Sequence, residues 1–162
     1  MRDVLCVYYS RSGNTKKVMK AIAAELDAGL VEITDGVERG GLRGWLRSGL
    51  DAVKRDCQET LPVETERRLE NYRWVIIGTP VWAGRCASPV RGLLKRRGLE
   101  LERVAYVLTR KSSRKYEDIY HQMDQYTARP PLLEVSLRPG SVGYEFWLDK
   151  LVGEVRRYLD AQ

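Results

Sequence analysis

A chain of 162 residues is long enough for one sizeable core, and 43% hydrophobic with 31% charged residues is the balance of a folded protein, which excludes a disordered chain. No apolar run approaches the roughly 20 residues of a membrane-spanning helix. Cys6, Cys57 and Cys86, at unrelated spacings, fit neither a disulfide framework nor a metal motif. The chain also opens directly on a strand pattern without a signal-peptide core, so a cytoplasmic protein is expected. The net charge of +6 is spread along the whole chain, which describes a solvated basic surface or an electropositive working face.

Hydrophobic periodicity alternates between strand and helix. Val4 to Tyr9 is a near-continuous apolar run, as in a parallel strand buried on both faces. Asn14 to Leu26 carries Val18, Met19, Ile22, Ala23 and Leu26 at helical spacing. Leu30 to Thr34 reads as a second strand. Leu42 to Val53 sets Leu42, Trp45, Leu46, Leu50 and Val53 on one helical face. Tyr72 to Gly78 is the next buried strand, followed by a helix over Pro89 to Arg97 with Ser88 as its N-cap. Val104–Thr109 is a fourth strand, Tyr116–Tyr126 a fourth helix, Leu132–Leu137 a fifth strand and Tyr144–Leu159 a closing amphipathic helix. Five strands alternating with helices predict a single α/β domain over residues 1–162, with a parallel sheet between helical layers. The Gly-rich and polar stretch from Asp35 to Arg68 is expected to be surface elaboration between the second and third strands. Trp45, Trp74 and Trp147 fall on apolar faces and are expected in the core, Cys86 is expected to be a small buried thiol, and His121 is expected on the surface.

Ligands of open parallel sheets sit beyond the carboxyl ends of the strands, at the topological switch point. The first strand ends in Ser10-Arg11-Ser12-Gly13-Asn14-Thr15 and runs straight into a helix. Hydroxyls, a permissive glycine and helix N-terminal amides together make an anion cradle. A Walker A loop and a GxGxxG fingerprint are both absent. A tyrosine-phosphatase loop fails because Cys6 is one residue out of place before Arg11 and lies within a strand. A receiver domain needs acidic residues where this chain has Ser10 and Gly78. The third strand ends in Thr79-Pro80-Val81-Trp82-Ala83-Gly84, which presents an indole at the mouth of the sheet, suited to stacking on a flat aromatic ligand.

The Ser10-x-Ser12-Gly13-x-Thr15 spacing resembles the [ST]-x-[ST]-G-x-T phosphate loop of the flavodoxin family, and Gly78-Thr79-Pro80-x-Trp82-x-Gly84 resembles the same family's G-[ST]-P-x-[YW]-x-G element. The resemblance implies a three-layer sandwich with five parallel strands in the order 2-1-3-4-5, and non-covalent binding of FMN. By that analogy Ser10, Ser12, Asn14 and Thr15 donate to the phosphate, with Arg11 at a variable position and Gly13 letting the backbone close in. Residues Thr79 to Gly84 then edge the ring system. The third loop, Thr109-Arg110-Lys111-Ser112-Ser113, departs from the family in having neither glycine nor acid; the hydroxyls of Thr109, Ser112 and Ser113 are expected to reach the ring, with Tyr116 placed to stack on it.

Electron carriers of that family are acidic, whereas Arg11, Arg85, Arg110, Lys111, Arg114 and Lys115 are expected to ring this site. At about 1 kcal/mol or somewhat more per nearby charge, such a rim favours the reduced, anionic flavin. The resemblance implies an electron carrier with an acidic redox partner protein, as a monomer or weak homodimer. An NAD(P)H-dependent reductase of quinones or similar acceptors is the alternative, and a flavin-free binding module with the same fold is a second one. Nothing in the chain resembles a specific nucleic-acid reader.

Overall fold

Every residue of β1 (Val4–Tyr8) is buried, because the strand lies mid-sheet with neighbours on both edges and helices on both faces. It pairs in parallel with β2 (Gly29–Glu32) on one side and β3 (Trp74–Trp82) on the other. The computed structural model describes residues 2–37, 39–54, 65 and 67–161. Beyond β3 come β5 (Val104–Thr109) and β6 (Leu133–Leu137), giving the parallel order β2-β1-β3-β5-β6. The two-residue β4 (Arg85–Cys86) is antiparallel to the end of β3. Setting that short hairpin strand aside, the order is the expected 2-1-3-4-5.

Side chains of β1 divide by strand alternation between two cores. Val4, Cys6 and Tyr8 pack with Val18, Met19 and Ile22 of α1 (Asn14–Leu26) and with Leu148, Leu151 and Val155 of α5 (Tyr144–Asp160). Leu5, Val7 and Tyr9 face the other core, with Val90, Leu93 and Leu94 of α3 (Ser88–Arg97) and Ile119, Tyr120 and Met123 of α4 (Asp118–Asp124). Val18, Met19 and Ile22 are fully buried. Each such side chain contributes about 1.5–3 kcal/mol by leaving water, which is why the 3.6-residue pattern of α1 was readable. The Cys6 thiol is pushed up to about 12 by burial. Cys86 is buried, His121 is exposed, and Cys57 lies outside the described residues.

Several boundaries move for physical reasons. β3 does not stop at Gly78 but continues through Trp82, because Pro80 still pairs with Thr109 and Val81–Trp82 pair with β4. The predicted loop is thus a strand end closed by a two-residue hairpin turn. Ala83 and Gly84 hold it with φ of 47° and 73°, both left-handed, as a type I′ turn requires. Ser88 is the first residue of α3 and not its N-cap, which is Ala87. The Ala87 N–H donates to the buried Thr79 hydroxyl at 2.9 Å, so a tertiary partner serves the helix entrance. Tyr116 has φ of 58°, which keeps it out of α4 and shortens that helix to Asp118–Asp124.

Two of the three tryptophans expected in the core are not there. Trp74 is 1% exposed, but Trp147 is 43% exposed, set edge-on to Phe146 with the Lys150 ammonium over its ring. Trp45, on α2 (Gly41–Lys54), is 57% exposed, as are large parts of Leu42, Leu46 and Leu50. Of the predicted apolar stripe of α2, Leu42, Trp45, Leu46 and Leu50 are exposed and join neither buried core, while the Val53 side chain lies outside the described residues. Residues 55–64 and 66 of the same connection lie outside the described residues.

Candidate functional site

The chain leaves β1 at Tyr9 and enters α1 through a loop closed by its own backbone. Gly13 takes φ 90°, a left-handed conformation open to glycine at no steric cost, and its N–H donates to Ser10 Oγ at 3.1 Å. Gly13 is the N-cap of α1 without a side-chain capping bond, so the first amides of the helix have no side-chain acceptor at the cap. Such N–H groups and the positive end of the helix dipole could hold an anion at that opening. Thr15 sits behind it, 1% exposed, its hydroxyl 2.7 Å from that of Thr109 at the end of β5. One of these hydroxyls donates to the other, tying the first loop to the third.

These strand ends open on a cavity of about 670 Å³, within the size range of small-molecule sites. Of the residues singled out from sequence, Arg11, Ser12, Asn14, Thr15, Pro80, Val81, Trp82, Ala83, Gly84, Thr109, Arg110, Lys111 and Ser112 line it. Ser10, Gly13 and Thr79 do not line it. Ser10 and Gly13 shape the first loop through their mutual bond, and Thr79 holds the hairpin against α3. Arg85, Arg114, Lys115 and Ser113 are not on its wall, although the Arg114 guanidinium lies over the ring of Tyr116, which is. Arg11, Arg110 and Lys111 remain, and among the described residues no carboxylate lines the cavity.

The third loop keeps its shape without glycine by spending an arginine on it. Arg110 donates from Nε to Ser136 Oγ at 2.9 Å and from Nη1 to the Ser112 carbonyl at 2.6 Å. Ser112 Oγ in turn donates to the Tyr116 hydroxyl, and the Arg114 guanidinium lies 5.0 Å from the centre of the Tyr116 ring. Tyr116 and Pro139 complete this side.

The remaining wall comes from α2, in the segment expected to be mere elaboration. Trp45, Leu46, Ser48, Gly49 and Leu50 all line the cavity. The sequence did carry a signal, the apolar stripe, but a stripe does not say whether protein or ligand will cover it. Arg39 anchors this wall. Its guanidinium is 2.6 Å from Asp35 and 2.7 Å from Asp51, with the Arg39 and Asp35 side chains 2% and 1% exposed. Burial alone would lower the Arg39 pKa, but bonds to the two carboxylates outweigh it and hold it above its ordinary value. The same guanidinium lies 5.0 Å from the centre of the Trp82 ring, and Tyr9 meets that indole edge-on at 5.3 Å. Trp82 is therefore 6% exposed and largely spoken for by its own protein.

No family model matches the chain, and no curated protein matches it. Solved structures do. A flavoprotein from Lactobacillus acidophilus NCFM, in complex with FMN, is 26% identical with a TM-score of 0.66, over 91% of this chain and 99% of that one. This chain has the flavodoxin-like fold. A flavodoxin from the domain Archaea (15% identity, TM-score 0.54) matches 96% of the flavodoxin-like chain and 99% of its own. An NADH:FMN oxidoreductase in its apo form (15% identity, TM-score 0.58) matches 96% and 89%. The resemblance carried by two loops thus extends over nearly the whole flavodoxin-like chain. No described helix is long and apolar enough to cross a membrane.

Proposed function

We propose that the protein binds FMN in this cavity and moves electrons through it. The observation that carries the reading is that an uncapped helix N-terminus and a slot with largely apolar walls open on one cavity. The residues fit the group. Ser12, Asn14, Thr15 and the first amides of α1 would hold the phosphate, the Pro80–Gly84 hairpin one edge of the ring system, and Thr109 to Ser112 another. Bound there, FMN would supply one- and two-electron transfer, which side chains cannot. The protein's part is to orient the ring, exclude water with α2 and the hairpin, and bias its charge. Arg11, Arg110 and Lys111, with no lining carboxylate among the described residues, favour negative charge on the ligand.

An electron carrier with an acidic redox partner protein is the first form of this reading. The protein would work in the cytoplasm, as one domain and as a monomer or weak homodimer. The cationic lining also favours a second form, an NAD(P)H-dependent reductase, since the same charges attract dinucleotide phosphates. Purification tests both. A yellow protein that releases FMN on heating supports the common claim, whereas a colourless protein that takes up no added FMN overturns it in favour of a flavin-free module. Anaerobic NADPH added alone then separates the two forms, because it bleaches the flavin of a reductase and leaves that of a carrier oxidised.

A further inference from the structure

Two aromatics that the flavin motifs would offer for stacking are already engaged. Trp82 is buried, with Arg39 over its ring and Tyr9 against its edge. Tyr116 carries the Arg114 guanidinium. Trp45 differs from both. It lines the cavity, is 57% exposed, and has no ring or cation partner among the described residues.

The helix around Trp45 is shaped as one side of a slot. Residues three and four positions on, Ser48 and Gly49, share its face and line the cavity too. Ser48 turns its hydroxyl back onto the Gly44 carbonyl at 2.7 Å, so it presents little polarity. A Cβ at Gly49 would meet nothing within 4 Å, in contrast to Gly44, where one would lie 2.0 Å from the Arg39 backbone. Gly44 is thus required by packing, whereas Gly49 weakens the helix by about 1 kcal/mol without any packing need. It leaves clear the space beside the indole. Leu46 and Leu50, one turn apart, extend the apolar surface, and the buried Arg39 ion pairs fix the helix in place.

We infer that Trp45, presented by α2, is the residue that stacks on the isoalloxazine, with Gly49 keeping the slot open for the ring. This rests on the FMN reading of the cavity. The two are separable, because FMN uptake tests the cavity and the emission of bound flavin tests the stack. An indole stacked on a flavin quenches its fluorescence by electron transfer, and phenylalanine stacks without quenching.

The experiment titrates FMN into wild type, Trp45→Phe, Trp45→Ala, Trp82→Phe, Trp147→Phe and Gly49→Leu, reading Kd and emission at saturation. Wild type binds FMN with weak emission. Trp45→Phe keeps Kd within about threefold while emission rises several-fold, and Trp45→Ala raises Kd about three- to tenfold, the worth of one aromatic contact. Gly49→Leu, the better helix former, loses most FMN affinity while its unfolding midpoint is no lower than that of wild type. Trp147→Phe changes nothing. Emission as low in Trp45→Phe as in wild type, or a full rise in Trp82→Phe alone, overturns the assignment of the stack while leaving FMN binding intact. A wild type that binds no FMN overturns both.

Discussion

Two walls of the cavity are made on different principles. One is the loop wall, Ser10 to Thr15, built from backbone: a left-handed glycine, an intraloop bond and the open end of a helix, seated on a strand that is buried throughout. The other is the α2 wall, built from the exposed side chains of Trp45, Leu46 and Leu50 on a helix held by one arginine between two carboxylates. The contrast is one of chemistry as well as construction. A backbone cradle recognises charge, and an apolar helix face recognises a flat surface, so a ligand that is anionic at one end and planar at the other needs both.

The largest expected effect comes from breaking the α2 wall at its anchor. Arg39→Met leaves the Asp35 carboxylate buried beside no cation, which costs about 3–5 kcal/mol of stability. Urea unfolding measures this, and both FMN and riboflavin should bind more weakly, since α2 serves the ring they share. Little change in the urea midpoint would mean that α2 is held by something else. Ser12→Asp attacks the other wall. A carboxylate facing the phosphate should raise the FMN Kd about a hundredfold, near 3 kcal/mol, and leave riboflavin little affected. Equal losses for both flavins would erase the division of labour between the walls.

Thr15→Val tests the seam between the first and third loops. It leaves the Thr109 hydroxyl buried without its 2.7 Å partner and should cost about 1–3 kcal/mol of stability, with a smaller loss of FMN affinity. The smallest effect is a control away from both walls. At the end of α3, Glu100 accepts from Arg97 Nε and Nη2, at 2.8 Å for the shortest bond, and these bonds hold its carboxyl below the usual range. A depressed folded pKa stabilises the protein above the ordinary carboxylate pKa, and that stability disappears as pH falls through the lower, folded value. Because the pair is about a third exposed, Glu100→Gln should cost no more than about 1 kcal/mol at neutral pH. Wild type and variant should converge only in acid, once the pH falls below that depressed folded value.

Much of this molecule was legible one element at a time. β1, α1, β5 and α5 declared themselves because their partners are other buried parts of the same chain, so burial is written into their spacing. The first loop was legible because its geometry is local, with Ser10 and Gly13 three residues apart doing the closing. Other features were not. Thr79 reads as a ligand contact, yet its hydroxyl accepts from the Ala87 N–H just beyond the β3–β4 hairpin. Trp82 reads as an open platform, yet Arg39, far away in sequence, lies over its ring.

By itself, then, the sequence determined the alternation of strands and helices, the anion cradle after β1 and the presence of an apolar stripe on α2. All three depend on residues within a few positions of one another. Only the tertiary structure decided what that stripe faces, which cations reach the cavity and which indole stays available. Those depend on which distant residue arrives first at a given surface, and Arg39 reaching Trp82 left Trp45 as the exposed indole lining the cavity.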